Sequence, residues 1–246
     1  MNQPGDVRHV PEDPAWIDYQ RRFAEVYDDL NYDRSLRGWA MRAGHRLAER
    51  GIEPATHYRH VLEVGAGSGE HAVCVRHGFE RYTLLDAHPR VLEIARRRLG
   101  ADPRFDFVAG DAARLDWPDR HFDRLIATHV LEHIAHPHRV LHEWARVVRD
   151  GGLLTVLIPT DPGIAWRLGR ELGPRRDALR RGIAYDYVMA REHVNPCHNL
   201  VALLRHQFAE RREAWWPLPV PAIDLNLFFV VNAVVRHPRS AGNTPA

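Results

Sequence analysis

Between residues 58 and 160, short apolar runs alternate with single helical patterns, and several runs close on glycine or aspartate. His60–Val64, Tyr82–Leu85, Phe105–Ala109, Phe122–Ala127 and Leu153–Ile158 read as strands. Glu70–His77, the segment opened by Pro89 with Val91, Leu92, Ile94, Ala95 and Leu99 on one face, and Val140–Val148 read as helices. Strands joined through helices cannot pair as hairpins, so the alternation predicts an α/β, doubly wound, mostly parallel sheet covered on both faces. Two later runs, Glu213–Val220 and Leu225–Val235, are separated only by Pro221–Asp224. That spacer is too short for a crossover, so an antiparallel pair is expected to close a seven-stranded sheet.

The flanks depart from this rhythm. Residues 16–50 have helical spacing (Trp16, Phe23, Val26, Tyr27, Leu30, then Leu36, Trp39, Ala40, Ala43, Leu47), with a break at Asn31–Asp33, and predict a helical cap. Residues 161–192 are arginine-rich and interrupted by Gly163, Gly169, Gly173 and Pro174, which predicts a helical lid. Residues 193–236 hold a final helix, Asn199–Phe208, and the terminal strand pair. With 246 residues the whole reads as one domain, residues 1–14 and 237–246 as frayed ends.

Composition narrows the chemistry. All 34 basic residues are arginine, so a Schiff base, a P-loop lysine and a lysine general base are excluded. Arginine stays charged at neutral pH, which leaves the 17 histidines, the 32 carboxylates, tyrosine and cysteine as bases. A net charge of +2 does not suggest a nucleic-acid partner. Cys74 and Cys197 cannot form an all-cysteine zinc site and are expected as buried thiols. The longest nearly apolar run has 11 residues, too short to span a bilayer, and the N-terminus has no signal-peptide pattern. A soluble, cytoplasmic protein is expected, with no membrane partner.

The most informative segment is Glu63-Val64-Gly65-Ala66-Gly67-Ser68-Gly69, between a strand and an expected helix. Glycines permit a sharp turn and close approach of a ligand to the backbone. The last position of a dinucleotide fingerprint would fall on Glu70, a carboxylate beside a pyrophosphate, which argues against a nicotinamide cofactor. Asp86 ends the second strand, where a carboxylate can bind both hydroxyls of a ribose, and Asp111 ends the third, where it can accept from an exocyclic amine.

With those residues in place, 58–160 resembles a class I S-adenosylmethionine-dependent methyltransferase of the small-molecule group, with a Rossmann-like sheet. The glycine loop is similar to that family's first motif, Asp86 to its ribose-binding acid and Gly110-Asp111-Ala112 to its adenine segment. Phe122–Ile134 and Val147–Leu154 are similar to the segments around its fourth and fifth strands. The resemblance implies S-adenosyl-L-methionine as cofactor, held by Glu63, Gly65, Ala66, Gly67, Gly69, Asp86, Ala87, Asp111, Ala112 and His129. The cap would add Tyr32 and Arg37, the arginine taking the methionine carboxylate. The expected reaction is methylation of a small molecule, with oxygen the first choice of acceptor. N- or C-methylation, or a non-catalytic cofactor-binding regulatory subunit, are the alternatives. A sulfonium is already an activated electrophile, so the protein need only orient a nucleophile in line with it, and no metal is expected.

Two histidines are candidate catalytic residues: His133, beyond the fourth strand, and His193, in Glu192-His193-Val194-Asn195-Pro196, which resembles a substrate-side segment of the family. Asn195 would cap the final helix and Pro196 open it. His129-Val130-Leu131-Glu132-His133 also reads as a zinc-peptidase pattern, which would make the chain a zinc hydrolase. That chemistry needs both histidines on one turn of a regular helix, whereas His129 falls at a strand end. Trp166, Tyr185, Asp186 and Tyr187 are further pocket candidates. If the pairs Arg175-Arg176, Arg180-Arg181 and Arg211-Arg212 meet over the pocket, an anionic acceptor follows.

Overall fold

The computed structural model describes residues 13–21 and 36–238. The cap positions Phe23, Val26, Tyr27, Leu30 and Tyr32, the break at 31–33 and most of the two termini lie outside the described residues. A seven-stranded sheet runs through the molecule, built from β1 (His57–Val64), β2 (Gly78–Asp86), β3 (Phe105–Ala109), β4 (Phe122–Thr128), β5 (Val148–Pro159), β6 (Arg211–Trp216) and β7 (Phe228–Val234). The order is β3-β2-β1-β4-β5-β7-β6. The first five strands are parallel, and β7 runs antiparallel to both neighbours, as the short spacer requires.

Helices α1 (Leu36–Ala48), α2 (Pro89–Leu99), α3 (Pro137–Val147), α4 (Ile164–Leu172), α5 (Pro174–Arg180), α6 (Tyr185–Glu192) and α7 (Cys197–Gln207) surround the sheet. Alternation along the strands divides the core. Leu62, Val64, Leu125 and Ala127 face Leu141 and Trp144 of α3 and Leu200 and Leu204 of α7. On the opposite face Val61, Leu84 and Ile126 meet Leu92 and Ala95 of α2. Val140, Leu141, Trp144 and Val147, at helical spacing, are all buried, so α3 is held by one apolar stripe.

Three expectations fail locally. Glu70–His77 is not a helix; only a single 3-10 turn, Ala72–Cys74, forms before β2 begins at Gly78. His71 and His77 of this segment are drawn instead to Glu49 and Arg124, far away in sequence. The final helix starts at Cys197, two residues before Asn199, and its cap residue is Pro196, one position after the expected Asn195. Asn195 instead donates from Nδ2 to the carbonyls of Leu131 (3.1 Å) and Ile134 (2.6 Å), tying this segment to the end of β4. Of the two thiols, Cys197 is buried but Cys74 only partly so.

Where the missing helix would have covered the sheet, a buried polar cluster stands. Arg124 on β4 is fully buried. It donates from Nη2 to Glu49 Oε1 (2.6 Å) and Thr155 Oγ1 (3.1 Å), and Nη1 lies 2.6 Å from His77 Nε2. His71 Nε2 lies 3.0 Å from Glu49 Oε1, and Asn232 donates to the Ala48 carbonyl at 3.1 Å. Burial would raise the Glu49 carboxyl, but the hydrogen bond to His71 and the charge of Arg124 bring it down to about 2. A guanidinium in that setting is tolerable only because its donors are satisfied. The 70–77 segment and the end of α1 thus replace an apolar helix–sheet contact with a hydrogen-bonded one.

Candidate active site

The parallel strands end on one edge, and the residues of interest gather there. Gly65, Gly67 and Gly69 have φ of +63°, +56° and +77°. At Gly65 a Cβ would drive into Val130 Cγ2, so this position needs glycine for two reasons, sign of φ and space. Asp86, at the tip of β2, accepts from Gly67 N through Oδ2 and from His88 N through Oδ1, each at 2.8 Å. Each oxygen keeps a further lone pair, an arrangement that two vicinal hydroxyls match. Ser68 Oγ, buried in the loop, has no hydrogen-bond partner. Ala87, next to the paired Asp86, is exposed. Asp111 is exposed and uses Oδ1 to hold the Ala113 amide (2.8 Å), and the Ala112 carbonyl accepts from Trp144 Nε1 (2.8 Å). The loop and both strand-end acids therefore fit a nucleoside with an aliphatic tail.

Two cofactor candidates have other partners. Glu63 lies on the α2-side face of the sheet, fully buried, and its Oε2 accepts from the Tyr82 hydroxyl at 2.6 Å. Burial raises its carboxyl above the usual carboxylate range. It supports the loop from beneath and does not present its carboxylate on the open side. Arg37 lies 3.7 Å from Asp177 of α5, a contact that joins cap to lid. Helix 14–21 packs on the lid as well, Trp16 and Tyr19 covering Ala178, Ile183 and Val188.

His129 occupies the turn out of β4 with φ +58°, a left-handed conformation uncommon for a side-chain-bearing residue. Its amide donates to the Leu157 carbonyl (2.9 Å), which holds the turn, and its Nδ1 lies 3.5 Å from Glu132 Oε1. Such local strain is concentrated at functional sites. Leu131–His133 forms a 3-10 turn, so His129 and His133 do not share a regular helix and the zinc-peptidase geometry is not formed. Glu132 instead gathers His133 and His193: one potential ligand atom from each lies within 4.8 Å of the others. His133 Nδ1 is 3.0 Å from Glu192 Oε2, and His193 Nδ1 is 2.8 Å from Asp161 Oδ2. Burial alone would lower the His133 imidazole, but the hydrogen bond to Glu192 and the charge of Glu132 raise it. Burial works against the Asp161 carboxylate, yet the bond to His193 and the charge of Arg170 lower its pKa.

Aromatic rings pack against these groups. His133 and His193 meet edge to face with ring centres 5.0 Å apart, and Trp166 stacks on His193 at 6.4 Å. Trp166 meets Phe228 at 5.9 Å, Phe228 lies 5.4 Å from His129, and Trp216 stacks on Phe228 at 5.8 Å. One arginine of each of the three pairs has a carboxylate partner of its own, while Arg170 of α4 lies 3.4 Å from Asp161. Arg175 is held by Asp186 (2.7 Å), Arg180 lies 3.4 Å from Asp177, and Arg211 is held by Glu213 (2.8 Å). Tyr185 packs beneath Arg170, and Tyr187 accepts from Arg191. Asp161 and Glu192 were missed as histidine partners; the one available signal was that Asp161 follows the end of β5, as Asp86 and Asp111 end β2 and follow β3.

Comparison with known proteins agrees with this fold. Residues 62–156 match the model of the methyltransferase domain family. The chain is 32% identical over 190 residues to a demethylmenaquinone methyltransferase of Deinococcus radiodurans, covering 71% of this chain and 76% of that protein. It is 30% identical over 169 residues to a chloroplastic 2-methyl-6-phytyl-1,4-hydroquinone methyltransferase of rice, over 65% of this chain. The chain spans about half the length of some curated relatives it matches, 47% of the rice protein and 50% of a demethylmenaquinone methyltransferase from Clavibacter sepedonicus. In fold it is similar to the N-methyltransferase NodS of Bradyrhizobium japonicum, solved with S-adenosyl-L-homocysteine (TM-score 0.61, 16% identity, 92% of this chain and 100% of that one). The chain belongs to the class I S-adenosylmethionine-dependent methyltransferases. Among the described residues, no helix is long and apolar enough to cross a membrane.

Proposed function

We propose that the protein transfers a methyl group from S-adenosyl-L-methionine to a small hydroxylated aromatic acceptor of hydroquinone type, at a ring carbon. The aromatic cluster of Trp166, Phe228 and Trp216, which reaches His133 and His193 through Trp166, carries this reading. Aromatic walls favour a flat ring through offset and edge contacts. The quinone methyltransferases among the relatives include C-methyltransferases, which moves the preferred atom from oxygen to carbon.

Bound S-adenosylmethionine would supply an electrophilic methyl on a positive sulfur. Asp86 would hold the ribose and Asp111 the adenine end, while the Gly65–Gly69 loop lets the backbone approach the tail. His133, beyond β4, and His193, after the lid, would face the acceptor. A ring hydroxyl that gives its proton to His133 or His193 leaves a phenolate, whose electron density enriches the neighbouring ring carbons. Attack from carbon would form the new C–C bond as the methyl–sulfur bond breaks and S-adenosyl-L-homocysteine leaves; loss of the ring proton then gives the C-methylated product. Attack from the oxygen itself gives the methoxy product, a second reading favoured by two imidazoles whose ring centres lie 5.0 Å apart, both placed to take a hydroxyl proton. Incubation with a hydroquinone and 13C-methyl-labelled S-adenosylmethionine separates the two, since an aryl methyl and a methoxy carbon resonate apart. A labelled aryl methyl is the expected result. Absence of labelled product from any hydroxylated aromatic ring refutes the proposal.

A further inference from the structure

We infer that Glu132, His133 and His193 form a binding site for one divalent first-row transition-metal ion, with open positions for an oxygen of the acceptor. Each histidine already uses one ring nitrogen, His133 Nδ1 on Glu192 and His193 Nδ1 on Asp161. A carboxylate behind a histidine fixes the neutral tautomer and aims the other nitrogen as a ligand, the usual support of metal-bound imidazoles. For His133 that nitrogen, Nε2, lies 3.9 Å from Glu132 Oε1. Two metal–ligand bonds of about 2.0–2.2 Å meeting at an ion place their donor atoms some 3–4 Å apart.

An independent observation points to a missing partner. Glu132 is only 2% exposed and, among the described residues, its Oε2 has no hydrogen-bond partner; nor has the buried Nε2 of His129, whose Nδ1 lies 3.5 Å from Glu132 Oε1. An unsatisfied buried carboxylate oxygen is costly, and a cation resolves it. The backbone is arranged to match: the Glu132 carbonyl accepts from both Val194 N (3.0 Å) and Asn195 N (3.1 Å), clamping the segment that carries His193 to the turn that carries Glu132. Two imidazoles and one carboxylate suit zinc, cobalt, iron or manganese rather than magnesium or calcium, which prefer oxygen donors. Three protein ligands leave positions in which a hydroxyl can bind and lose its proton to water more readily, so with the ion in place the two imidazoles act as ligands and no longer take that proton themselves. This use of the ion rests on the acceptor proposed above; the ion site itself does not.

The test is a titration of the chelator-treated full chain with cobalt(II), followed by its visible d–d absorption. One equivalent should bind tightly and resist millimolar magnesium. His193→Ala should abolish that equivalent, and Asp161→Asn, which removes only the orienting carboxylate, should weaken it about ten- to a hundredfold. S-adenosyl-L-homocysteine titrated into the same samples by calorimetry should still bind, which separates loss of the ion from failure of the cofactor pocket or of folding. The inference is overturned by the absence of a tight equivalent in the parent chain, by an undiminished equivalent in His193→Ala, or by magnesium displacing cobalt on equal terms.

Discussion

Replacing Asp86 by alanine removes the group on which the cofactor assignment most depends. The carboxylate accepts two backbone amides, from Gly67 and His88, and would accept the two ribose hydroxyls on its remaining lone pairs. Hydrogen bonds to a charged acceptor contribute roughly 1.5–3 kcal/mol each. Loss of the two hydroxyl bonds, partly recovered by water, should cost about 3 kcal/mol of binding, on the order of a hundredfold in Kd. The Gly67 amide, left without its acceptor in a buried loop, should cost a further 1–3 kcal/mol or so of folding stability. Calorimetric titration with S-adenosyl-L-homocysteine measures the first term and urea unfolding the second. Asp86→Asn, which keeps one oxygen as acceptor, should fall between the parent and Asp86→Ala in both. If Asp86→Ala remains folded and binds S-adenosyl-L-homocysteine within threefold of the parent, the placement of the ribose at β2 is wrong.

His193→Ala should reduce turnover strongly while leaving the Kd for S-adenosyl-L-homocysteine nearly unchanged; equal loss of both in paired kinetic and calorimetric measurements would show that the residue acts only on the fold. Gly65→Ala should destabilise the protein by about 2–4 kcal/mol in urea unfolding, because it combines a left-handed backbone with a collision against Val130, and Val130→Ala should restore the steric share. Arg124→Met should cost about 3–5 kcal/mol by leaving Glu49 buried without its cation, and the double variant with Glu49→Gln should be the more stable of the two. Because the Glu49 carboxyl is depressed from 4.5 to about 2, its contribution is complete above pH 4.5 and fades as the pH falls toward 2. Stability of Glu49→Gln should therefore vary less steeply across that window than stability of the parent.

The sheet was legible because its signals are local and repeated. Apolar runs ending in Gly65, Asp86, Gly110 and Pro159 mark strand ends whatever covers them, and a four-residue spacer leaves the last two strands no choice but to reverse. The helix expected at 70–77 failed for the opposite reason. Its apolar spacing was compatible with a helix, yet the real determinant was distant: Glu49, Arg124 and Thr155 are satisfied by His71, His77 and Asn232, partners scattered over the chain. The cofactor loop could be read because glycine is itself the evidence of an unusual backbone. His129 adopts the same left-handed conformation without glycine, held by Leu157, and nothing in its neighbourhood announces it. Likewise His133 and His193 could be nominated singly, but their convergence on Glu132, with Asp161 and Glu192 behind them, is a product of the 161–192 lid and its return to β4. Arg37 shows how a cap residue singled out for the cofactor also meets the lid, 3.7 Å from Asp177, a contact no sequence spacing announces.

The account is tested most directly by following deuterated methyl groups. S-adenosylmethionine labelled in all three methyl hydrogens, incubated with the enzyme and a series of demethylated hydroquinones, should deliver the methyl intact to the ring, with one S-adenosyl-L-homocysteine formed per product molecule by mass spectrometry. Binding of S-adenosyl-L-homocysteine with no labelled aromatic product across the series would contradict it.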